Sequence, residues 1–118
     1  MIRVIAFIII LVSLPISANS NTRVPINGQL IQFAKANCLY QYFQHKNYDL
    51  NDIRNISAGI VQTSSLAPET FVEVSRLVKN YEPEVKYKKD TSPLLVKCFT
   101  LDSDPVFLRK IKSLTHGE

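Results

Sequence analysis

Four side chains have the chemistry to act as nucleophile, base or soft metal ligand: Cys38, Cys98, His45 and His116. A catalytic cysteine needs a base within hydrogen-bond reach and a group that orients the base. Neither cysteine sits in a recognisable catalytic signature, and neither histidine has neighbours that mark it as a base or a ligand. A structural zinc site needs ligand pairs at short, regular spacing. Positions 38, 45, 98 and 116 offer none, so no metal and no cofactor is expected. The carboxylates are equally bland. Asp49 and Asp52 stand at one apparent helix start, and Asp102 and Asp104 at another, where capping accounts for them. There is no G-x-S-x-G, no H-E-x-x-H and no glycine-rich phosphate loop among only three glycines. The residues therefore point to a binding protein and not to an enzyme.

Two cysteines in an oxidising compartment most simply form one disulfide. The N-terminus argues for that compartment. Residues Val4 to Leu14 read VIAFIIILVSL, preceded by Arg3 and followed by Pro15 and the small residues Ser17, Ala18 and Ser20. The run falls short of the roughly 20 apolar residues of a spanning helix. A basic start, a short apolar run and a small-residue exit describe a secretory signal peptide, 1–20, cut after Ala18 or Ser20. No cysteine stands at the cut to carry a lipid. The competing reading is an uncleaved anchor. The mature domain is then 21–118, with a net charge of about +3, no membrane association after cleavage and too little positive charge for nucleic acid.

The elements that position these residues read as helices. Leu30, Ile31, Ala34, Cys38, Leu39, Tyr42 and Phe43 recur at three and four, with Asn27 as N-cap. A second helix opens at Asp49 and carries Leu50, Ile53, Ile56, Ile60 and Val61, with Gly59 marking a close helix contact. Pro68 starts a third, with Phe71, Val74, Leu77, Val78 and Tyr81 on one face and Pro83 beyond its end. Ser92 caps a fourth that begins at Pro93 and faces Leu94, Leu95, Cys98 and Leu101 inward. Asp104 caps a fifth that begins at Pro105 and buries Phe107, Leu108, Ile111 and Leu114. The expected class is all-α, a small five-helix bundle in which Cys38–Cys98 ties the first helix to the fourth.

Between the third and fourth helices lies Glu82-Pro83-Glu84-Val85-Lys86-Tyr87-Lys88-Lys89-Asp90-Thr91. Six of these ten residues are charged, against 20% for the chain. It reads either as a solvated loop or as a partner-binding loop. Alternation of Val85 and Tyr87 with Lys86 and Lys88 would suit a short extended stretch.

Three motifs, Phe33-Ala34-Lys35-Ala36-Asn37-Cys38-Leu39-Tyr40-Gln41, Leu77-Val78-Lys79-Asn80-Tyr81 and Leu94-Leu95-Val96-Lys97-Cys98-Phe99, occur in an order and spacing that resembles the type VI secretion amidase immunity proteins. The likeness spans about Leu30 to Leu114. It departs in the second helix, where Ile56-Ser57-Ala58-Gly59-Ile60 stands in place of the family's aromatics. The resemblance implies a periplasmic protein that forms homodimers and blocks the cleft of a peptidoglycan amidase delivered by neighbouring cells. The segment reaching that enzyme maps here to Glu82–Thr91, with Glu84, Lys86, Tyr87, Lys88, Lys89 and Asp90 as contact residues. Two alternatives stand beside it: a non-catalytic periplasmic structural or accessory protein, and a small secreted hydrolase with Cys38 as nucleophile.

Overall fold

The computed structural model describes residues 25–115; the proposed signal peptide and His116 lie outside them. The described chain is five helices and no strand: α1 Ile26–His45, α2 Asn51–Thr63, α3 Pro68–Asn80, α4 Pro93–Thr100 and α5 Pro105–Ser113. The all-α five-helix class expected from the periodicity is what the chain adopts.

Local chemistry sets the boundaries. Pro68, Pro93 and Pro105 each occupy a first helical position, where the missing N–H costs nothing. The Asp104 carboxylate accepts from the N–H groups of Val106 at 2.8 Å and Phe107 at 3.1 Å. The Ser92 hydroxyl accepts more loosely from Leu95 N–H, at 3.4 Å. At the start of α1 the cap is Pro25 and not Asn27, because Gln29 N–H already bonds the Pro25 carbonyl at 2.9 Å. Asn47 ends the first helical run in a left-handed conformation, φ 58°, which asparagine tolerates. Asp49 precedes α2 and does not open it; its carboxylate accepts from Asn51 N–H at 2.8 Å.

α1 is the central helix and touches the other four. Leu30, Phe33, Ala34, Ala36 and Cys38 are all buried along it. At 100° per residue these positions cover about 200° of its circumference. A single-stripe reading is therefore too narrow, and it leaves out Phe33 and Ala36. The core gathers α1, α3, α4 and α5 around Leu30, Val74, Val78, Leu101, Phe107 and Ile111, each at most 1% exposed. Two ring contacts lock it. Phe33 meets Phe71 edge-on at 5.0 Å between centroids, and Tyr81 meets Phe107 at 5.0 Å. Such pairs stabilise by about 0.5–1.5 kcal/mol beyond their burial.

Cys38 and Cys98 are disulfide-bonded, 60 residues apart in sequence and 5.4 Å apart between Cα atoms. The bond ties α1 to α4, as the pairing argument expects. Both cysteines are at most 4% exposed.

α2 is different in kind. It packs on α1 alone among the helices in substantial contact, and only Ile53 is buried along it. Ile56, expected on the inward stripe, is 55% exposed. Gly59 marks no close contact, since a Cβ built there would meet nothing within 4 Å. The link from α1 to α2 is held by a small ring cluster, Phe43–Tyr48 at 5.7 Å and Tyr42–Tyr48 at 6.2 Å.

Candidate partner-binding surfaces

The charged segment is an exposed connection between α3 and α4. Residues 84–90 are all solvent-accessible, with Tyr87 at 47%. It forms no strand, so the alternation of Val85 and Tyr87 with lysines does not translate into pairing: no strand edge occurs among the described residues to accept it. The segment closes in a turn, Thr91 N–H to the Lys88 carbonyl at 3.2 Å, with Asp90 left-handed at φ 73°. Aspartate is one of the few residues for which that conformation is cheap. Glu84, Lys86, Tyr87, Lys88, Lys89 and Asp90 thus share one exposed stretch. No ion pair joins any of them to the helices among the described residues.

The end of this stretch that leaves α3 is fixed. Tyr81, 8% exposed, stands at its start and donates its hydroxyl to the Asp104 carboxylate that caps α5. Burial, and then the adjacent carboxylate, push the Tyr81 phenol well above the usual tyrosine range. The bond from Tyr81, with the backbone N–H groups of Phe107 and Val106, holds the Asp104 carboxyl below the usual carboxylate range. One carboxylate therefore caps a helix and anchors the loop root.

A second anchor comes from α4. Lys97 is 7% exposed, and its ammonium donates to the carbonyls of Val78 at 3.0 Å and Lys79 at 3.4 Å. These are carbonyls of the last turn of α3, beyond reach of the regular helical ladder, and the Val78 carbonyl also accepts from the Tyr81 N–H at 3.4 Å. A cation there also meets the negative end of the helix dipole. Burial lowers the Lys97 ammonium's affinity for its proton, partly offset by Glu82. Lysine in the middle of Val96-Lys97-Cys98 gives no sign in sequence that it turns inward.

A second surface lies on the α1–α2–α4 side. A trough of about 370 Å³ is lined by Gln32, Lys35, Ala36 and Leu39 of α1 and Ile53, Ile56 and Ile60 of α2. A smaller recess of about 140 Å³ shares Lys35 and Leu39 as a wall and adds Cys98, Phe99 and Asp102. Phe99 is 76% exposed, the most exposed of the large hydrophobic side chains described. Lys35 and Asp102 form an ion pair at 3.1 Å beside it, each side chain nearly half exposed. Sequence reasoning missed this face. One signal was present: Phe99 falls off the expected inward stripe of Leu94, Leu95, Cys98 and Leu101.

Of the residues weighed for chemistry, Cys38 is consumed by the disulfide and has no thiol to act as a nucleophile. His45 is exposed at the end of α1. No group of three or more His, Cys, Asp or Glu able to hold a metal occurs among the described residues. No helix among the described residues is long and apolar enough to cross a membrane. Compared with family models, with curated proteins and with solved structures, the chain matches none.

Proposed function

We propose that this protein is an exported, non-catalytic immunity protein that binds and blocks a type VI secreted peptidoglycan amidase in the periplasm. The observation that carries the reading is the segment 84–90: exposed throughout, and rooted at one end by the Tyr81–Asp104 bond. An inhibitor that enters a cleft needs a projecting element whose removal from water costs little order. A loop fixed at its root meets that need, because less freedom is lost on binding. Tyr87 is the anchor, since an aromatic with a hydroxyl is a frequent hot-spot type. Lys86, Lys88 and Lys89 meet carboxylates at the rim and act mainly on the association rate. The disulfide is compatible with an oxidising compartment, and it supports export.

The test is binding and protection together. An amidase effector encoded beside this gene should bind the protein and lose activity. Cells carrying the full chain should survive that amidase in the periplasm, and cells carrying a form without residues 2–20 should not. Full protection by the form without residues 2–20 contradicts the reading, as does an amidase that retains activity at saturating protein. In the latter case the alternative, a periplasmic structural or accessory binding protein, is favoured.

A further inference from the structure

We propose that the Cys38–Cys98 disulfide is a redox latch on one segment of the fold: closed, it holds α4 and the charged loop in place, and open, it releases both while α1, α3 and α5 stay packed. The segment is 82–103, the loop followed by α4. Its two ends are pinned together, because the Tyr81 hydroxyl donates to the Asp104 carboxylate across its base. Most of the core does not run through it. Leu30, Val74, Val78, Phe107 and Ile111 lie outside the segment, and so do the ring pairs Phe33–Phe71 and Tyr81–Phe107. Between its pinned ends the segment buries only Lys97, Cys98 and Leu101.

Lys97 and Cys98 tie α4 to two different helices. Cys98 is bonded to Cys38 of α1. Lys97, about 100° round the helix from it, donates to the Val78 and Lys79 carbonyls of α3 at 3.0 and 3.4 Å. α4 has eight residues and, among the helices, packs substantially on α1 alone. A helix that short does not hold itself in water, so its order depends on Leu101 and on the two ties. The bond to α1 sets where α4 lies, and that position lets Lys97 reach α3. Opening the bond therefore frees the helix and the far end of the loop, at Ser92 and Pro93. The exchange balances with a small thiol. Its thiolate attacks the sulfur of Cys98, which lines the smaller recess, and Cys38 leaves as a thiolate. A second thiol then displaces Cys98 and departs in a free disulfide, and the protons of the two thiols end on Cys38 and Cys98. An oxidising small-molecule disulfide reverses both steps and closes the latch. The effect on binding rests on the loop reading proposed above; the latch itself does not.

The test is hydrogen exchange read by mass spectrometry on the purified full chain, oxidised and after reduction with dithiothreitol. In the oxidised chain, amides 96–101 are expected to exchange at least about 100-fold more slowly than in an unfolded chain. In the reduced chain they are expected within about 10-fold of the unfolded rate, while α1 and α3 stay at least about 100-fold protected. Oxidised glutathione is expected to restore the slow exchange. Protection of 96–101 that survives reduction overturns the latch. Loss of protection in α1 and α3 together with α4 also overturns it, because the bond then holds the whole fold and not one segment. Cys38→Ser combined with Cys98→Ser needs no reductant and is expected to match the reduced chain; a match to the oxidised chain overturns the proposal. Binding is read against an amidase encoded beside this gene, with the reductant removed before mixing. The reduced chain is expected to bind at least about 10-fold more weakly than the oxidised one, the loss that a freed loop end brings. Equal binding overturns the hold on the loop. An oxidised chain that binds no amidase overturns the loop reading instead, and exchange alone then decides the latch.

Discussion

The loop between α3 and α4 and the trough between α1 and α2 are both exposed, but they are built on opposite terms. The loop is charged and contributes nothing to the core beyond its root at Tyr81. The trough is apolar, and its walls are also structural: Ile53 and Ala36 are buried, and Leu39 and Ile60 pack against the core cluster. The disulfide lies beside it, since Cys98 lines the smaller recess. A change at the loop tip should therefore move binding without stability. A change around the trough should move stability first.

The largest expected effect lies on the trough side. Cys38→Ala removes the bond between α1 and α4. The chain-entropy model for a closed loop of about 60 residues gives on the order of 4 kcal/mol, within a usual range of about 2–5 kcal/mol for native disulfides. Denaturant unfolding should show that loss. A cost below about 1 kcal/mol would mean that the helices hold this face without the staple. Non-reducing peptide mapping of exported protein should recover one linked pair, and two free thiols would contradict it.

At the loop root the effect is a pH dependence. Asp104 binds its proton less tightly in the fold than in the unfolded chain, because Tyr81 and two backbone N–H groups hold the charged form. Its contribution is therefore fully present above the unfolded carboxylate range, about pH 4, and is lost as pH falls through the lower folded value. Asp104→Asn should melt below wild type at pH 7, and the gap between them should close on acidification. A gap that stays constant from pH 7 to pH 3 would detach the carboxylate's charge from the loop root.

The smallest effect separates α2 from the rest. Gly59 has open space where a Cβ would stand. Gly59→Ala should raise stability by up to about 1 kcal/mol, the difference in helix propensity. Destabilisation would show that the site is crowded in solution.

The two regions were not equally legible in the sequence. The loop announces itself: a run of charge bounded by Pro83 and by the Ser92-Pro93 helix start needs no tertiary knowledge. The helices do likewise, since prolines at 68, 93 and 105 mark first turns and the stripe Phe71, Val74, Val78, Tyr81 names the buried face of α3. The trough does not. Ile56 has the spacing of a core residue, and only the count of neighbours around α2 decides that it is not one. Lys97 fails for the opposite reason. Charge predicts exposure, but the carbonyls of the last turn of α3 offer its ammonium partners inside. Both depend on which helix lies next to which, and periodicity within one helix carries no record of that.

The proposed function makes the loop tip, and not the helical faces, the element that recognises an amidase. Calorimetric titration of the cognate amidase with wild type, Tyr87→Ala and a Lys110→Ala control, alongside thermal melts of all three, tests it most directly. Tyr87→Ala should weaken binding by at least about 2 kcal/mol with an unchanged melting temperature, and Lys110→Ala should bind like wild type. Tyr87→Ala binding like wild type, or losing affinity only because it unfolds, would contradict the claim and move the contact surface to the helices.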